Sequence, residues 1–439
     1  GSVMAAFNEV DGIPATGNKW LLTDVLRNQW GFDGFVVSDY TGINEMIEHG
    51  MGDLNQSSAL ALNAGTDMDM IGEGYLLTLK SSLEKGLVSI NQIDIAVKRI
   101  LKAKYRLGLF DDPYKYCDEN RSKTEIFTPE NRSFSRKVAA ESMVLLKNEN
   151  KLLPLKKSGT IALIGPLANT KENMPGTWSV ATNHSKAVSF LDGLKAVAGD
   201  KATIIYAKGS NLDYDAEFEK NATMFGKELP RSNKSDKELL DEALEVASKA
   251  DVIIAAIGES AEMSGESSSR TNLEIPQVQK DLLKALLKTG KPVVLTLFTG
   301  RPLVLVEENE LVQSILNVWF PGSEGGLPIA DVLFGDVNPS GKITATFPRS
   351  VGQIPIFYNY KNTGRPLDNK DGKFVKFLSN YIDERNEPLY PFGFGLSYTE
   401  FKYSNLKLSA DQMNIKESIE VSVDVTNTGN YSGKEVVQL

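Results

Sequence analysis

Two groups of carboxylates in this sequence are placed to do acid–base or nucleophilic chemistry. Asp39 ends the apolar run of GFVVSDYTG (34–42), after which the sequence turns polar. It therefore falls at the carboxyl end of a buried strand, the edge where strand–helix barrels build active sites. The second group lies in GESAEMSGESSSR (258–270), which follows the strand-like DVIIAAI and carries Glu259, Glu262 and Glu266 among small residues. Open α/β sheets bind ligands outside the same edge. The plainer alternatives are a helix-capping Asp and a solvated acidic loop. Residue types alone do not rank the three glutamates.

One carboxylate from each group would make the pair that glycoside hydrolysis needs. One acts as nucleophile or base, and the other as an acid whose pKa burial raises. Tyr40, Trp20, Trp30, Phe7 and Trp178 offer aromatic faces for a sugar ring, with packing as their default role. Other constellations are weaker. IALIGPLA lacks the G-x-G-x-x-G spacing of a dinucleotide turn. FPGSEGG (320–326) reads as a tight strand–helix turn, and Arg365 in TGRP as a loop residue. TDMDM (66–70) has two carboxylates but no further oxygen ligands at EF-hand spacing. No G-x-S-x-G elbow accompanies the two histidines, His49 and His184.

The elements that must hold these residues follow from hydrophobic patterning. Strands are expected at 3–8, 35–40 and 65–70, with helices near 18–29, 55–64 and 89–107, the last opened by a Ser89/Gln92 capping box. Strand–helix alternation implies a parallel sheet, but about three units are present where a closed (β/α)8 barrel takes eight. Thr128-Pro129 opens a helix expected to run on through SRKVAAESMVLLKN. Five continuous apolar runs, 160–166, 202–209, 251–259, 292–300 and 314–322, read as strands buried on both faces of a mostly parallel sheet. Helices at 235–250, with a Ser235/Glu238 capping box, and at 276–290, with Gly290 as C-cap, separate them. From 401 the pattern alternates as in an antiparallel sandwich, with room for about three strands of the seven such a domain uses.

Composition narrows the function. The 439 residues are 41% hydrophobic and 24% charged, an ordinary globular balance. The net charge is −9, which disfavours nucleic acid or an anionic membrane surface as the main partner. No apolar run reaches the roughly 18 residues of a membrane span. One cysteine, Cys117, excludes an internal disulfide, and two histidines disfavour a multi-His metal centre. The sequence begins and ends in strand-like runs, which reads as an internal piece of a longer protein. No oligomeric state is expected from the sequence.

Several stretches resemble glycoside hydrolase family 3, the β-glucosidase/β-xylosidase group, and look closest to its bacterial periplasmic β-glucosidases. VMAAFNEVDGIPATGNKWLLTDVLRNQWGFDGFVVSDY is similar to the last part of the family barrel. AAESMVLLKNENKLLPL resembles the entry to the second domain. GKPVVLTLFTGRPL, WFPGSEGGLPIADVLFGDVNPSGKITATFPRSVGQIPIFYN and PLYPFGFGLSYTEF are similar to stretches in that domain and its exit. The resemblance covers essentially the whole chain. It implies an α/β architecture of the C-terminal portion of a (β/α)8 barrel (1–110), a linker (111–135), an α/β sandwich (136–360), an extended connection (361–400) and the start of a fibronectin-III-like domain (401–439). The site is expected between the first two domains.

By the same resemblance Asp39, in the S-D-[WY] motif, is the nucleophile. Glu266, in the M-x-x-E-x-x-S-R loop, is the acid/base, with Glu259 as second choice. Tyr40, Met4 and Phe7 line the pocket. The implied activity is a retaining exo-β-glucosidase acting on β-linked oligosaccharides or β-glucosides without metal or organic cofactor, its carboxyl groups roughly 5–5.5 Å apart. The alternatives are a β-xylosidase or other β-glycosidase of the family, or a non-catalytic sugar-binding protein. The implied location is periplasmic or secreted. The family's Lys-His pair has no counterpart here, and the earlier barrel strands that carry most first-sugar contacts are missing. The 439 residues by themselves are therefore expected to be inactive.

Overall fold

The computed structural model describes residues 1–179, 182–221, 229–367 and 372–439. These residues form two compact units, Gly1–Glu125 and Ile126–Leu439. The stretch between residues 111 and 135 holds a short helix, Arg121–Glu125, and the start of the helix Pro129–Ser142.

The first unit is built on a three-stranded parallel sheet: β1 (Ser2–Ala5), β2 (Phe35–Tyr40) and β3 (Met68–Met70), with β2 in the centre. The three longer helices that follow β2 within this unit are Leu54–Ala64, Gly74–Glu84 and Ile90–Arg106. Capping boxes open the first, at Asp53 and Gln56, and the third, at Ser89 and Gln92. Each satisfies two otherwise orphaned backbone donors. The expected α-helix near 18–29 is instead a wider π-helix, Trp20–Gln29, whose end is marked by Trp30 N donating to Val25 O at 3.0 Å. Gly74–Glu84 was not expected, because its apolar residues are diluted by Gly, Thr and Ser.

One carboxylate ties this unit together. Asp67, 5% exposed, accepts from Arg27 Nη2 at 2.6 Å and Val36 N at 2.8 Å through Oδ2, and from Arg99 Nη1 at 2.8 Å through Oδ1. Arg27 also donates to Gly34 O and Gly65 O. Burial pulls the Arg27 guanidinium below its ordinary value, and Asp67 opposes that shift. The π-helix, the central strand and the helix Ile90–Arg106 thus converge on one buried charge.

The second unit contains a six-stranded mixed sheet. Its members are β4 (Val144–Asn148), β5 (Thr160–Ile164), β6 (Thr203–Ala207), β7 (Val252–Gly258), β8 (Val293–Phe298) and β9 (Ser314–Asn317). They lie in the order β4-β9-β8-β7-β5-β6, all parallel except β4, which runs antiparallel to β9. β4 corrects the sequence reading. The helix ends at Ser142, Met143 turns extended, and Val144, Leu145 and Leu146 are fully buried. An apolar run with nothing polar on any side suits a covered sheet better than an amphipathic helix.

The apolar strands divide by alternate residues between two cores. Ile161, Leu163, Ile254, Ala256, Val294 and Phe298 face one layer, covered by the helices Phe190–Ala198 and Gly326–Leu333. Ala162, Ile164, Ile253, Ala255, Val293, Leu295 and Leu297 face the other, covered by Asp236–Ser248 and Gln277–Leu287. The Ser235/Glu238 capping box is present. Arg132 and Arg136, on the helix Pro129–Ser142, grip Glu324 and Asp331 through paired hydrogen bonds.

Between 361 and 400 the described residues form neither helix nor extended ladder. Isolated bridges Phe347–Tyr390 and Leu145–Leu396 pin that segment to the sheet's surroundings. β10 (Phe401–Leu408) and β11 (Val421–Asn427) then pair antiparallel. The expected third strand, at 434–439, does not form. Its side chains are drawn elsewhere: Lys434 pairs with Glu141, Glu435 with Lys342 at 3.4 Å, and Gln438 donates to Gly393 O at 3.1 Å.

Two outcomes test these assignments. Asp67→Asn leaves Arg27 buried without its counter-charge and should cost about 3–5 kcal/mol in chemical denaturation. Glu308, 3% exposed with Lys280 Nζ 3.9 Å away, has its carboxyl raised chiefly by burial. A raised folded-state pKa gives stability that is full below the unfolded value, about 4.3, and lost as pH climbs through the folded value. Glu308→Gln should therefore gain on the parent as pH rises from about 4 to about 7. A stability gap that stays constant across that range would contradict the shift.

Candidate active site

The strand β2 delivers Asp39 as expected. Its partners β1 and β3 run parallel on either side, in register Ala5 with Ser38 and Tyr40 with Met70. The carboxyl edge is locked by short polar contacts. Ser38, fully buried, accepts from Met70 N at 2.9 Å and lies 2.9 Å from Asp39 O. Asp39 Oδ1 accepts from Tyr40 N at 2.7 Å, which turns the carboxylate back over the strand end. Thr41 N then donates to Met70 O, and Thr41 sits at φ +56°, a left-handed conformation that a β-branched residue rarely adopts. Half-buried Asp39 keeps Oδ2 outside these contacts.

Around it, Tyr40 and Met4 are exposed and Phe7 is half-buried, with its ring against Gly42. Trp20, Trp30 and Trp178 are exposed on their own units, so none is core packing there. The two carboxylates of TDMDM are taken up structurally. Asp67 meets the two arginines described above, and Asp69 Oδ2 accepts from Tyr75 N at 3.2 Å. Burial, reinforced by Asp69 and Asp67, pushes the Tyr75 phenol well up. Among the described residues no group of three or more His, Cys, Asp or Glu is arranged for a metal.

In the second unit the strand order sets the location. The chain goes from β5 outward to β6, then returns past β5 to β7 on the other side. The strand order therefore reverses between β5 and β7, the kind of switch point outside whose carboxyl ends open α/β sheets bind ligands. Both strands end in glycine for a stated reason. A Cβ on Gly165 would lie 2.0 Å from Ala256 O, and one on Gly258 would lie 2.0 Å from Phe298 O. Their φ values, +143° and +135°, are also disfavoured for any side chain. The acidic loop begins at this point. Buried Asn173 accepts from Ala261 N at 2.7 Å and anchors its first turn.

The structure separates the loop glutamates. Glu259 is fully buried, with Arg270 Nη1 at 2.7 Å and Arg301 Nε at 3.2 Å from Oε1, and Thr299 Oγ1 at 2.8 Å from Oε2. Both oxygens are engaged, which suits an anchor and not a group that must exchange protons with a substrate. Glu262 is 9% exposed. Glu266 is exposed at the tip of the loop, between Gly265 at φ +150° and Ser267 at φ +56°. Sequence reasoning missed Arg301, Thr299 and Asn173. Arg301 had a signal, since it follows the buried strand β8 at the same carboxyl edge. FPGSEGG is the tight turn expected, with buried Glu324 held by Arg132 at 2.7 Å.

The glycosyl hydrolase family 3 N-terminal domain model matches residues 1–103, and the family's C-terminal domain model matches residues 143–398. The chain belongs to glycosyl hydrolase family 3. Family 3 relatives include a periplasmic beta-glucosidase of Salmonella typhimurium, 46% identical over 443 residues, with all of this chain and 58% of the relative covered. A beta-xylosidase of Formosa agariphila is 39% identical over 454 residues, again with 58% of its length covered. Among solved structures, beta-glucosidase from Listeria innocua in complex with isofagomine superposes with a TM-score of 0.87 at 38% identity, covering 98% of this chain and 56% of that one. The chain thus spans a little over half the length of the relatives it matches.

Removing the anchor should be costly. Glu259→Gln leaves two guanidinium groups largely buried beside a neutral amide, and a loss of about 3–5 kcal/mol is expected in urea denaturation. A loss below about 1 kcal/mol, the range of exposed ion pairs, would mean that Glu259 does not hold the loop.

Proposed function

We propose that the whole protein is a retaining exo-β-glucosidase. Asp39 attacks the anomeric carbon and forms a glycosyl-enzyme. Glu266 protonates the departing oxygen and then deprotonates the water that releases the sugar. The observation that carries this reading is the combination of family membership with a carboxylate at each strand-end position: half-buried Asp39 near the end of β2 and exposed Glu266 on the loop after β7. Tyr40, Met4 and Phe7 are the proposed pocket-lining residues near the nucleophile.

The roles divide by environment. Asp39 is held by a backbone N–H through one oxygen, which leaves the other for attack. Glu266 sits on a turn whose shoulders are fixed, so it can deliver and recover a proton at one place. Glu259 is proposed as a structural anchor, not as an alternative acid. No step requires a metal or an organic cofactor.

The architecture proposed from the family is the C-terminal portion of a (β/α)8 barrel at 1–110, a linker at 111–135, an α/β sandwich at 136–360, an extended connection at 361–400 and the start of a fibronectin-III-like domain at 401–439. The proposed substrate is a terminal β-linked glucose. The Listeria innocua beta-glucosidase has been crystallised with isofagomine, gluconolactone and glucose, and its mutant with laminaribiose. A β-xylosidase is the second reading, favoured by the Formosa agariphila relative. A periplasmic location follows the Salmonella typhimurium relative. Among the described residues no helix is long and apolar enough to cross a membrane.

The test is covalent trapping of the whole protein. Incubation with a 2-deoxy-2-fluoro-β-glucoside carrying a good leaving group should add one sugar, mapped by peptide mass spectrometry to Asp39. Asp39→Asn should abolish the adduct and lower kcat by more than about 10³-fold. An adduct on any other residue would displace Asp39. An adduct formed only by the xylo analogue would select the second reading.

A further inference from the structure

The loop after β7 is held in an unusual way, and the holding residue is not one of its own. Arg301 belongs to the segment after β8, yet its guanidinium reaches three points of the neighbouring loop. Nε lies 3.2 Å from Glu259 Oε1 at the loop's base. Nη2 donates to the carbonyl of Met263, before the tip, and to the carbonyl of Ser268, after it, the second at 2.7 Å. Glu266 lies between those two carbonyls in sequence. The flanking residues Gly265 and Ser267 both have positive φ, so the tip is a sharp turn that no regular backbone ladder supports. The Ser268 hydroxyl, 2.9 Å from Glu262 O and 3.1 Å from Glu266 O, closes the turn internally.

Arg301 is itself well fixed. Its side chain is 21% exposed, its backbone N donates to Thr299 Oγ1 at 3.2 Å, and that same hydroxyl lies 2.8 Å from Glu259 Oε2. Arg270 completes the frame, with Nη1 on Glu259 and Nη2 donating to Glu274 O at 3.0 Å. A guanidinium is planar, and its donors are set in a rigid fork. Here one end of that plane, Nη2, holds both shoulder carbonyls while Nε faces Glu259, so the shoulders are fixed against the base of the loop, and with them the direction in which the tip residue leaves.

We infer that Arg301 is a positioning residue for the acid/base step: it sets the aim of the Glu266 carboxyl by bridging Met263 O and Ser268 O. This rests on Glu266 being the acid/base. The chemistry supplies a selective readout. A misaimed acid harms the departure of a leaving group that needs a proton, and hardly affects one that leaves as a stable anion. Damage to the fold, or to sugar binding, lowers both alike.

The experiment compares phenyl and 2,4-dinitrophenyl β-glucosides with the whole protein, its Arg301→Lys and Arg301→Met variants and a Glu266→Gln reference. Lysine keeps the charge facing Glu259 but has no second nitrogen fixed in the same plane, so it cannot hold Glu259 and both carbonyls at once in one rigid geometry. For Arg301→Lys, kcat/KM on the phenyl glucoside should fall by about 10–100-fold and on the dinitrophenyl glucoside by less than about 3-fold. Arg301→Met should show the same selectivity or more. If it fails to fold, the lysine variant decides. Equal losses on both substrates, or no loss on either, would overturn the inference. Glu266→Gln should show the largest selectivity. If that reference shows none while cleavage persists, Glu266 is not the acid, and the role assigned to Arg301 falls with it.

Discussion

A carboxylate taken wholly out of water must have both oxygens met, and the second unit of this protein is organised around one such group. Glu259 stands where β7 ends, with no exposed surface. Its three partners come from two places: Arg270 from the far end of the same loop, and Thr299 and Arg301 from the chain leaving β8. The desolvation cost of the charge is offset only while all three stay in position. The ion pair is thus a constraint on geometry more than a source of net stability. It obliges a long loop of small residues, which would otherwise sample many shapes, to leave the sheet edge along one path.

The first unit repeats the principle with different parts. Asp67 gathers Arg27 and Arg99 at the base of the strand end, below the level of Asp39 in the chain order of β2 and β3. In both units, then, a buried acid with two arginines holds up a neighbouring carboxylate that remains accessible. The oxygens of the buried acids are taken up by the framework, while Asp39 Oδ2 and the exposed Glu266 lie outside it. This division between acids that hold and acids that act is what the amino-acid letters D and E conceal.

That concealment explains where sequence reading stopped. The strands of both sheets other than β4 were legible because continuous apolar runs have few other homes, and β2 was located to the residue. The capping boxes at Ser89 and Ser235 were legible because they are local. Three features were not. The helix before β4 was read too long, because VLLK continues a helical pattern until the demand of β9 for a partner is known. The π-helix at Trp20–Gln29 has the composition of an α-helix, and its wider turns give no sequence signature. Glu259, Glu262 and Glu266 look alike in sequence. They differ through their partners in space, of which Thr299 and Arg301 are more than thirty residues away along the chain. Tertiary partners, not propensity, decided all three.

Gly165 and Gly258 carry a consequence for how such a protein can vary. Each presses its bare backbone against the carbonyl of a neighbouring strand, Gly165 on β7 and Gly258 on β8, so the carboxyl edge of the sheet at these two points is main chain without side chains. A surface of that kind has one shape. Exchange of residues cannot deepen it, charge it or make it greasy, and any replacement would force the strands apart. Diversity at this edge must therefore be written into the loops that leave it, whose lengths and side chains are free to drift over an unchanging backbone.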